Sequence, residues 1–466
     1  MTTDHLDFGD SLAGLLVDGV RETPFTAATL TMRAPRGIEI DVPHISHDPT
    51  GQFAHLKEWF RGRNPPGNML LHLATGCISL FELRWHGHST PSGDRLAVGV
   101  LSPDVAVLHR RDGPLQDPLI FKEMRSRVDG LNKWSGMSSV NVEHDTDTRN
   151  RVKKVKLEVG AARPLSWGQG DARMFVRADW RVAYPENGYS AEKIIDDNVV
   201  IESVFKQKAS YGDHLGEQIK VVNLMVLLFG SPIPFREHRI RDSLFASRLM
   251  SGRVYGHPFV ELISRATIAD RTISIPTSNE LARPLAFLSQ LNRTGLETWA
   301  ANYNTWRRFI LPAVSVLGKN QAFIEDIVIS TSMAIEAAGQ LIGPRQGEAG
   351  LPPSAKNSYR CLDLLDLDWG PKVPNTKVLA QAMAANYNTV KHFDRGDFPS
   401  HGETAIISSV NRMVVRLVAL TLTGKSDEIL KDIRENNGLW RIKEQFDMWG
   451  LELKEGGKWA ASPANP

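Results

Sequence analysis

The rhythm of the sequence changes once, near Ala282, and that change constrains the fold more than any other feature. Before it, short apolar runs alternate with turn residues; after it, apolar positions recur at helical spacing. Between Phe25 and Leu108 strands are expected at 28–32, 38–42, 69–74, 78–85, 96–101 and 105–109. Pro35-Arg-Gly37, Asn64-Pro-Pro-Gly67 and Ser92-Gly-Asp94 punctuate them as turns. Many short strands with regular turn signals favour a sandwich or barrel-like β domain. A helix expected over 121–134 breaks the series. A second β group follows at 155–159, 172–184 and 198–205, then a helix over 215–228 stopped by Gly230 and Pro232. Further strands are expected at 233–235 and 272–275.

Beyond Ala282 helices are expected over 285–310, 323–341, 378–390, 405–422 and 427–434. Ser400-x-x-Glu403 forms a capping box ahead of the clearest of them, and Gly424 suits its C-cap. Gly343-Pro344 ends the second helix, and 347–358 is expected as a loop. The reading is an α+β chain: a β-rich region over 1–280 in one or two subdomains, an all-α bundle over 282–450 and a tail over 451–466.

Composition enters mainly through what it excludes. A chain of 466 residues can hold about two or three domains. Its net charge of +2 argues against coating nucleic acid by bulk charge, while leaving room for a local basic groove. Cys77 and Cys361 stand far apart, which speaks against a disulfide framework or a cysteine-built zinc site. His44 with His47, and His86 with His88, lack Cys or carboxylate partners at zinc spacing, so no metal or cofactor is expected. The polar N-terminus is unlike a signal peptide, and the longest strongly apolar run, 221–229, falls short of the ~20 residues that span a bilayer. The expected location is the cytoplasm, with no membrane partner.

The stretch Met383-Ala-Ala-Asn-Tyr-Asn-Thr-Val-Lys-His392-Phe-Asp-Arg-Gly396 draws the functional reading. At ~100° per residue Leu379, Met383, Asn386 and Val390 share one side of a helix, and Lys377, Gln381, Asn388 and His392 the other. Gly396 and Pro399 stop it. The segment Ala384-Ala-Asn-Tyr-Asn-Thr389 repeats Ala300-Ala-Asn-Tyr-Asn-Thr305. Asn388-Thr-Val-Lys-His392 resembles the tail of the Arg-Asn-x-x-x-His signature of HEPN domains, all-α bundles that include many metal-independent ribonucleases. The wider chain resembles the ApeA-type abortive-infection proteins of bacteria, in which a β-rich N-terminal domain precedes a HEPN domain. Val128-x-x-Leu131-x-x-Trp134-x-Gly136 is similar to an element in the middle of their N-terminal regions.

The resemblance implies an antiphage endoribonuclease that cleaves host or phage RNA, tRNA or mRNA, on infection. It implies a phage-derived protein trigger and a homodimer through the bundle. His392 would be the general acid/base and Asn388 a positioning residue. Tyr387 stands where the family has its phosphate-binding Arg, with Lys391 and Arg395 as partial substitutes. Glu336, inside the apolar Met333–Ala338 segment, would orient the histidine or a cation. A second pairing, Arg395 with His401, spans Gly396 and Pro399 and so cannot sit on one regular helix. Bland readings stand beside these: His392 as a helix C-cap, Glu336 in a structural ion pair or at a solvent edge, and Arg307, Arg308, Arg412, Arg416 and Arg441 as surface charge rather than an RNA-binding face. The alternative function is a catalytically degenerate HEPN-fold module that binds RNA, nucleotide or protein. A carbohydrate-binding β domain with a helical appendage rests on the strand pattern alone.

Overall fold

The computed structural model describes residues 5–462 except 20–25, 46–50, 90–95, 184–185, 188–189, 192–193, 278, 320, 393 and 395–396, with side chains outside 183–193. The Ser92-Gly-Asp94 turn, His47 and Arg395 lie outside these described residues. The first β group gives β1 (Ser11–Val17), β2 (Thr26–Arg33), β3 (Gly37–Ile45), the short helix α1 (Ala54–Phe60), β4 (Asn68–Leu73), β5 (Gly76–Phe81), β6 (Arg84–Ser89), β7 (Leu96–Ser102) and β8 (Val105–Val107). The second begins with β9 (Ile120–Val128) and the short helix α2 (Leu131–Ser135). It continues through β10 (Val140–Thr146), β11 (Val152–Val159), β12 (Leu165–Gln169), β13 (Ala172–Ala183), the small pair β14 (Glu186–Asn187) and β15 (Ser190–Ala191), and β16 (Ile194–Ser210). Helix α3 (Tyr211–Phe229) leads to β17 (Phe235–Arg241), β18 (Ser247–Arg248), β19 (Val254–Gly256) and β20 (Val260–Ser264).

The two groups join in one fourteen-stranded sheet, in the order β12-β13-β16-β9-β17-β20-β8-β5-β4-β1-β2-β3-β7-β6. The seam is antiparallel: Leu262 faces Val107, and Val107 faces Ser79. On the β1–β7 side the sheet packs Leu30, Ile40, Leu71, Leu80 and Leu101 against Leu56 and Phe60 of α1. On the other side Met124, Met174, Val176, Ile201 and Ile240 face α3.

Eight helices follow among the described residues: α4 (Leu288–Tyr303), α5 (Arg307–Leu317), α6 (Ile324–Ile342), α7 (Pro353–Leu365), α8 (Thr376–Lys391), α9 (His401–Thr421), α10 (Asp427–Glu435) and α11 (Trp440–Trp449). A hairpin of β21 (Leu451–Lys454) and β22 (Lys458–Ala461) closes the described chain against α8 and α11. Of the described helices, α9 alone has the length and apolar content to cross a membrane, and 67% of that stretch is buried inside the fold.

Helix α3 ties the sheet to the helices. Ser210 caps it, accepting from the Asp213 N–H at 3.2 Å while Asp213 accepts from the Ser210 N–H at 3.1 Å. Every residue from Val221 to Phe229 is buried, because a helix apolar all round must be covered on all sides. One flank meets β9 and β16, and another meets α5 and α9. Gly230 ends it at φ 70°, where a Cβ would also meet the Arg416 guanidinium at 3.0 Å. Arg416 reaches from α9 to donate to the Leu227 and Leu228 carbonyls at 3.1 and 2.7 Å, capping carbonyls that helix geometry leaves open. Burial lowers its pKa to about 10, so it remains charged at neutral pH. Arg416 therefore serves the joint with α3 and not an RNA-facing surface, and Arg412 is half-buried beside it; Arg307, Arg308 and Arg441 are exposed.

Several segments differ from the sequence expectation. No strand forms at 272–275, α7 begins at Pro353 inside the loop expected over 347–358, and the helix expected over 285–310 breaks between Tyr303 and Arg307 into α4 and α5. The helix expected over 121–134 is strand β9 followed by α2. Met124, Ser126 and Val128 point into the core while Arg125 and Arg127 point out, a two-residue alternation. Phe121, three residues before Met124, is also buried because the register with β16 shifts between Val204 and Ala209. The tail expected from 451 is instead the β21–β22 hairpin, held by buried Leu453 and by Gly457, where a Cβ would lie 2.5 Å from the Ala382 nitrogen.

Two buried histidines tie stability to pH. His214 stacks on Phe121 with centroids 4.5 Å apart. It donates from Nε2 to the Phe121 carbonyl at 3.2 Å, which leaves Nδ1 to accept from Ser203 Oγ at 2.8 Å. Burial pushes its pKa down to about 4. His238 hydrogen-bonds with Ser126 Oγ at 2.7 Å and Thr267 Oγ1 at 2.8 Å, and burial pushes it down to about 3. Both are neutral in the fold and protonate more readily in the unfolded chain, so their contribution is complete above pH ~6.5 and is lost as pH falls toward those values. Urea denaturation is expected to show about 2 kcal/mol lost per histidine by pH 5, with a shallower pH slope in His214→Gln. Arg416→Leu, which strands the buried Leu227 carbonyl and leaves Leu228 with the Leu285 N–H alone, is expected to cost about 2 kcal/mol in the same assay at pH 7.

Candidate functional site at the end of helix α8

Helix α8 starts at Asn375, whose Oδ1 accepts from the Val378 N–H at 3.0 Å. It ends at His392, which has left helical geometry (φ −120°, ψ 114°) although its N–H still donates to the Asn388 carbonyl at 2.9 Å. The His392 side chain is exposed at this exit. Leu379, Met383 and Asn386 are buried and Val390 is half-buried, on the side the spacing expects. Tyr387 is buried with them, only 7% exposed.

That burial turns the Tyr387 hydroxyl into an anchor. Lys391, one turn further on, donates from Nζ to Tyr387 Oη at 3.1 Å, and its ammonium lies 5.1 Å from the ring centre. The hydrogen bond to Tyr387 raises the Lys391 pKa, with smaller contributions from the fields of Tyr387 and Glu336. Glu336 lies on α6 at the solvent edge of a small cleft that Tyr387, Met383 and Ser332 also line. It forms no ion pair within 4 Å among the described residues, so of its two bland readings the solvent edge fits and the buried pair does not. No hydrogen bond among the described residues joins Glu336 to His392, and the Asn388 side chain makes none. The structure thus brings Tyr387, Lys391 and Glu336 together, sets His392 and Asn388 at their edge, and leaves Arg395 outside the described residues. His401 opens α9 with its ring edge on Trp449 at 5.5 Å, while Arg395, its partner in the second pairing, lies outside the described residues.

The hexapeptide repeat acquires a physical account here. Each copy sits at a helix C-terminus, the first running two residues past the end of α4 at Tyr303, and each buries its tyrosine. Tyr303 accepts from Asn223 Nδ2 of α3 at 2.6 Å, where Tyr387 accepts from Lys391.

Sequence reasoning missed the polar side chains inside the bundle next to the cleft. Asn386 donates to Thr404 Oγ1 at 3.4 Å, and Asn411 of α9 donates to Ser332 Oγ at 3.0 Å. Both leave a buried Oδ1 without a hydrogen-bond partner. The signal was present, since Asn386 occupies a position on the apolar side of α8. Among the described residues, no three His, Cys, Asp or Glu side chains converge as metal ligands would.

Residues 52–243 match the family model described as ApeA N-terminal domain 1. The match opens just ahead of α1 and closes after β17, leaving β1 to β3 and all of α4 to α11 outside it. No curated protein and no solved structure matches the chain. The Val128–Gly136 element falls within the matched ApeA-type segment. There Trp134 is fully buried and donates from Nε1 to the Ala286 carbonyl at 3.1 Å, while Lys133 Nζ donates to the Leu281 carbonyl at 2.6 Å. The ApeA-type domain therefore grips the connector that leads into the helices.

Asn386→Leu removes a poorly satisfied buried amide with little change of shape. It is expected to raise stability to urea by about 1 kcal/mol.

Proposed function

We propose that the protein is an ApeA-like antiphage defence protein of the cytoplasm whose helical region is a HEPN-type endoribonuclease. The observation that carries this reading is the ApeA-type domain over 52–243 joined to a helical region whose α8 ends in Asn388-Thr-Val-Lys-His392. The β-rich region senses a phage-derived trigger or holds the helices in check, and the helical region cleaves RNA.

The chemistry uses this chain's own groups. An imidazole takes the proton from an RNA 2′-OH; the 2′-oxygen attacks the adjacent phosphorus; the bond to the 5′-oxygen breaks, and an acid protonates that oxygen. The products are a 2′,3′-cyclic phosphate and a 5′-OH end. One His392 cannot be base and acid in a single step, so a homodimer pairing two α8 ends supplies both. Lys391, held by Tyr387, supplies the cation to the phosphate as a point charge, in place of the planar fork of the family's Arg. Glu336 sits where its charge faces that ammonium. Asn388 positions the end of the helix.

A second reading has an observation of its own. Tyr387 is buried and uncharged where the family carries its Arg, which suits a degenerate HEPN fold retained for binding RNA, nucleotide or protein. Cleavage of RNA by purified protein in EDTA separates the two. Wild type is expected to leave 2′,3′-cyclic phosphate ends, His392→Ala to leave none, and Lys391→Ala to lose about 10²–10³ in rate, the usual cost of one charge-stabilising donor. Cleavage unchanged in His392→Ala would overturn the assignment of the site. A Tyr387→Arg variant that gains cleavage where wild type has none would establish the degenerate reading.

A further inference from the structure

The outward face of β9, β13, β16 and β17, opposite the one that packs on α3, carries a concentration of arginines. Cross-strand register sets Arg125 opposite both Glu202 and Arg239, Arg127 opposite Glu237, and Arg181 opposite Asp196. In the middle they enclose a cleft of about 240 Å³, lined by Arg125, Arg127, Arg181 and Arg239 against only Asp179 and Glu237, with Val200 and Phe259 beside them.

Two features set this apart from an ion-pair lattice that merely keeps a sheet face wet. The first is layering. Glu202 and Glu237 lie at the bottom, 2% and 10% exposed, while Arg181 is 38% exposed above them. Solvent therefore meets the Arg181 guanidinium in the cleft, with Asp196, 48% exposed, outside its lining. The second is stoichiometry at the centre. Arg127, Arg181 and Arg239 all approach Glu237, with Arg127 at 3.3 Å, Arg181 at 3.6 Å and Arg239 in direct hydrogen-bond contact, while Arg127 also pairs with Asp196 at 2.8 Å and Arg181 lies 3.9 Å from Asp179. Burial alone would raise the Glu237 carboxyl, yet the three arginines hold it below the usual range. Arg239 spends only its Nε on Glu237, so its terminal amino groups meet no acceptor among the described residues, and Arg181 makes no hydrogen bond among them. The wall is fixed in advance: Arg125 is held by Glu202 at 2.9 Å and lies over the Phe259 ring at 3.9 Å. Glu202 and Asp196 also pair with Arg125 and Arg127, so what the cleft offers a ligand is the guanidinium donors left free on Arg181 and Arg239, and these match a multiply charged phosphate, which arginine binds two oxygens at a time. The cleft volume lies below the roughly 300–1,000 Å³ of drug-sized pockets, which suits a short phosphate chain and not a duplex.

We propose that this cleft binds an oligophosphate, with Arg127, Arg181 and Arg239 as its donors. The ligand is the triphosphate of a nucleotide or a free polyphosphate chain. All of the site but Phe259 lies within the ApeA-type segment, and it is independent of the α8 chemistry, so its failure would leave the ribonuclease reading untouched.

Isothermal titration of the full chain with tripolyphosphate, ATP and adenosine tests it. Tripolyphosphate and ATP are expected to bind and adenosine not. Tighter binding of ATP would assign the nucleotide as source, and equal affinity the free chain. Arg181→Gln and Arg239→Gln are each expected to weaken binding about tenfold, the worth of one charged hydrogen-bonding group. Glu237 keeps two arginines in either variant, so the fold is retained, and an unchanged melting curve checks this. Arg239→Lys keeps the charge but loses the fork and is expected to weaken binding severalfold. The proposal is overturned if neither phosphate compound binds at millimolar concentration, if both glutamine variants bind as wild type does, or if only a single-stranded RNA oligonucleotide binds the face.

Discussion

The burial of α3 on all sides is the constraint on which the rest of the structure depends. A helix with no polar stripe from Val221 to Phe229 cannot lie on a surface, so the sheet must cover one flank and the helical region another. That burial creates a second requirement, because the last turn of any helix leaves carbonyls open and burial denies them water. Val226 is satisfied by the Gly230 N–H, Leu227 by Arg416, and Leu228 by both Arg416 and the Leu285 N–H. Arg416 and Leu285 belong to segments beyond the sheet, so the end of α3 is completed only when the chain has folded over it from the other side. Trp299 adds an indole donor to the Lys220 carbonyl at 2.8 Å, and Asn223 reaches Tyr303. The change of rhythm near Ala282 is real in secondary structure, but one apolar core runs through it.

The same coupling bears on function. On the proposed function, sensing in the β-rich region and action in the helical region need a physical connection, and three separate groups supply one: α3 itself, the α2 grip on the connector, and Arg416. None is a flexible linker. A displacement of the sheet face that carries α3 must disturb α5 and α9 as well, because closely packed interfaces shift between discrete arrangements and do not deform smoothly. Helix α8 packs on α6, α7 and α9, so its end lies one helix away from that disturbance.

Much of this was legible in the sequence, and the failures share a cause. The strand-to-helix change, the start of α9 at Ser400 and the buried side of α8 all follow from local pattern, which tertiary context here reinforces. Strand β9 was misread because Phe121 and Met124 stand three apart, a helical interval, and only the irregular pairing with β16 reconciles both being buried in a strand. The closing hairpin was lost because Leu451-Glu-Leu-Lys454 is too short to declare a strand until α8 and α11 are there to cover it. Arg412 and Arg416 looked like surface charge because an i,i+4 pair of arginines usually is; nothing local announces that the partner of Arg416 is a helix end nearly two hundred residues upstream. The outward arginines of β9 and β17 were invisible for the same reason, since their significance lies in cross-strand register.

The interior of the helical region carries the last argument. Natural cores satisfy their polar atoms, and a buried amide oxygen without a partner is a cost that apolar packing would avoid. Asn386 of α8 and Asn411 of α9 each bear that cost, and Asn411 donates to Ser332, which lines the same cleft as Glu336 and Tyr387. Stability alone gives no reason for amides there, since Leu379 and Met383 on the same side of α8 are ordinary core residues. Sequence rules are expected to fail where a chain is shaped for something besides folding. On the proposed reading, the amide of Asn411 at Ser332 keeps the wall of that cleft polar from the inside of the bundle, where a purely structural core would be apolar.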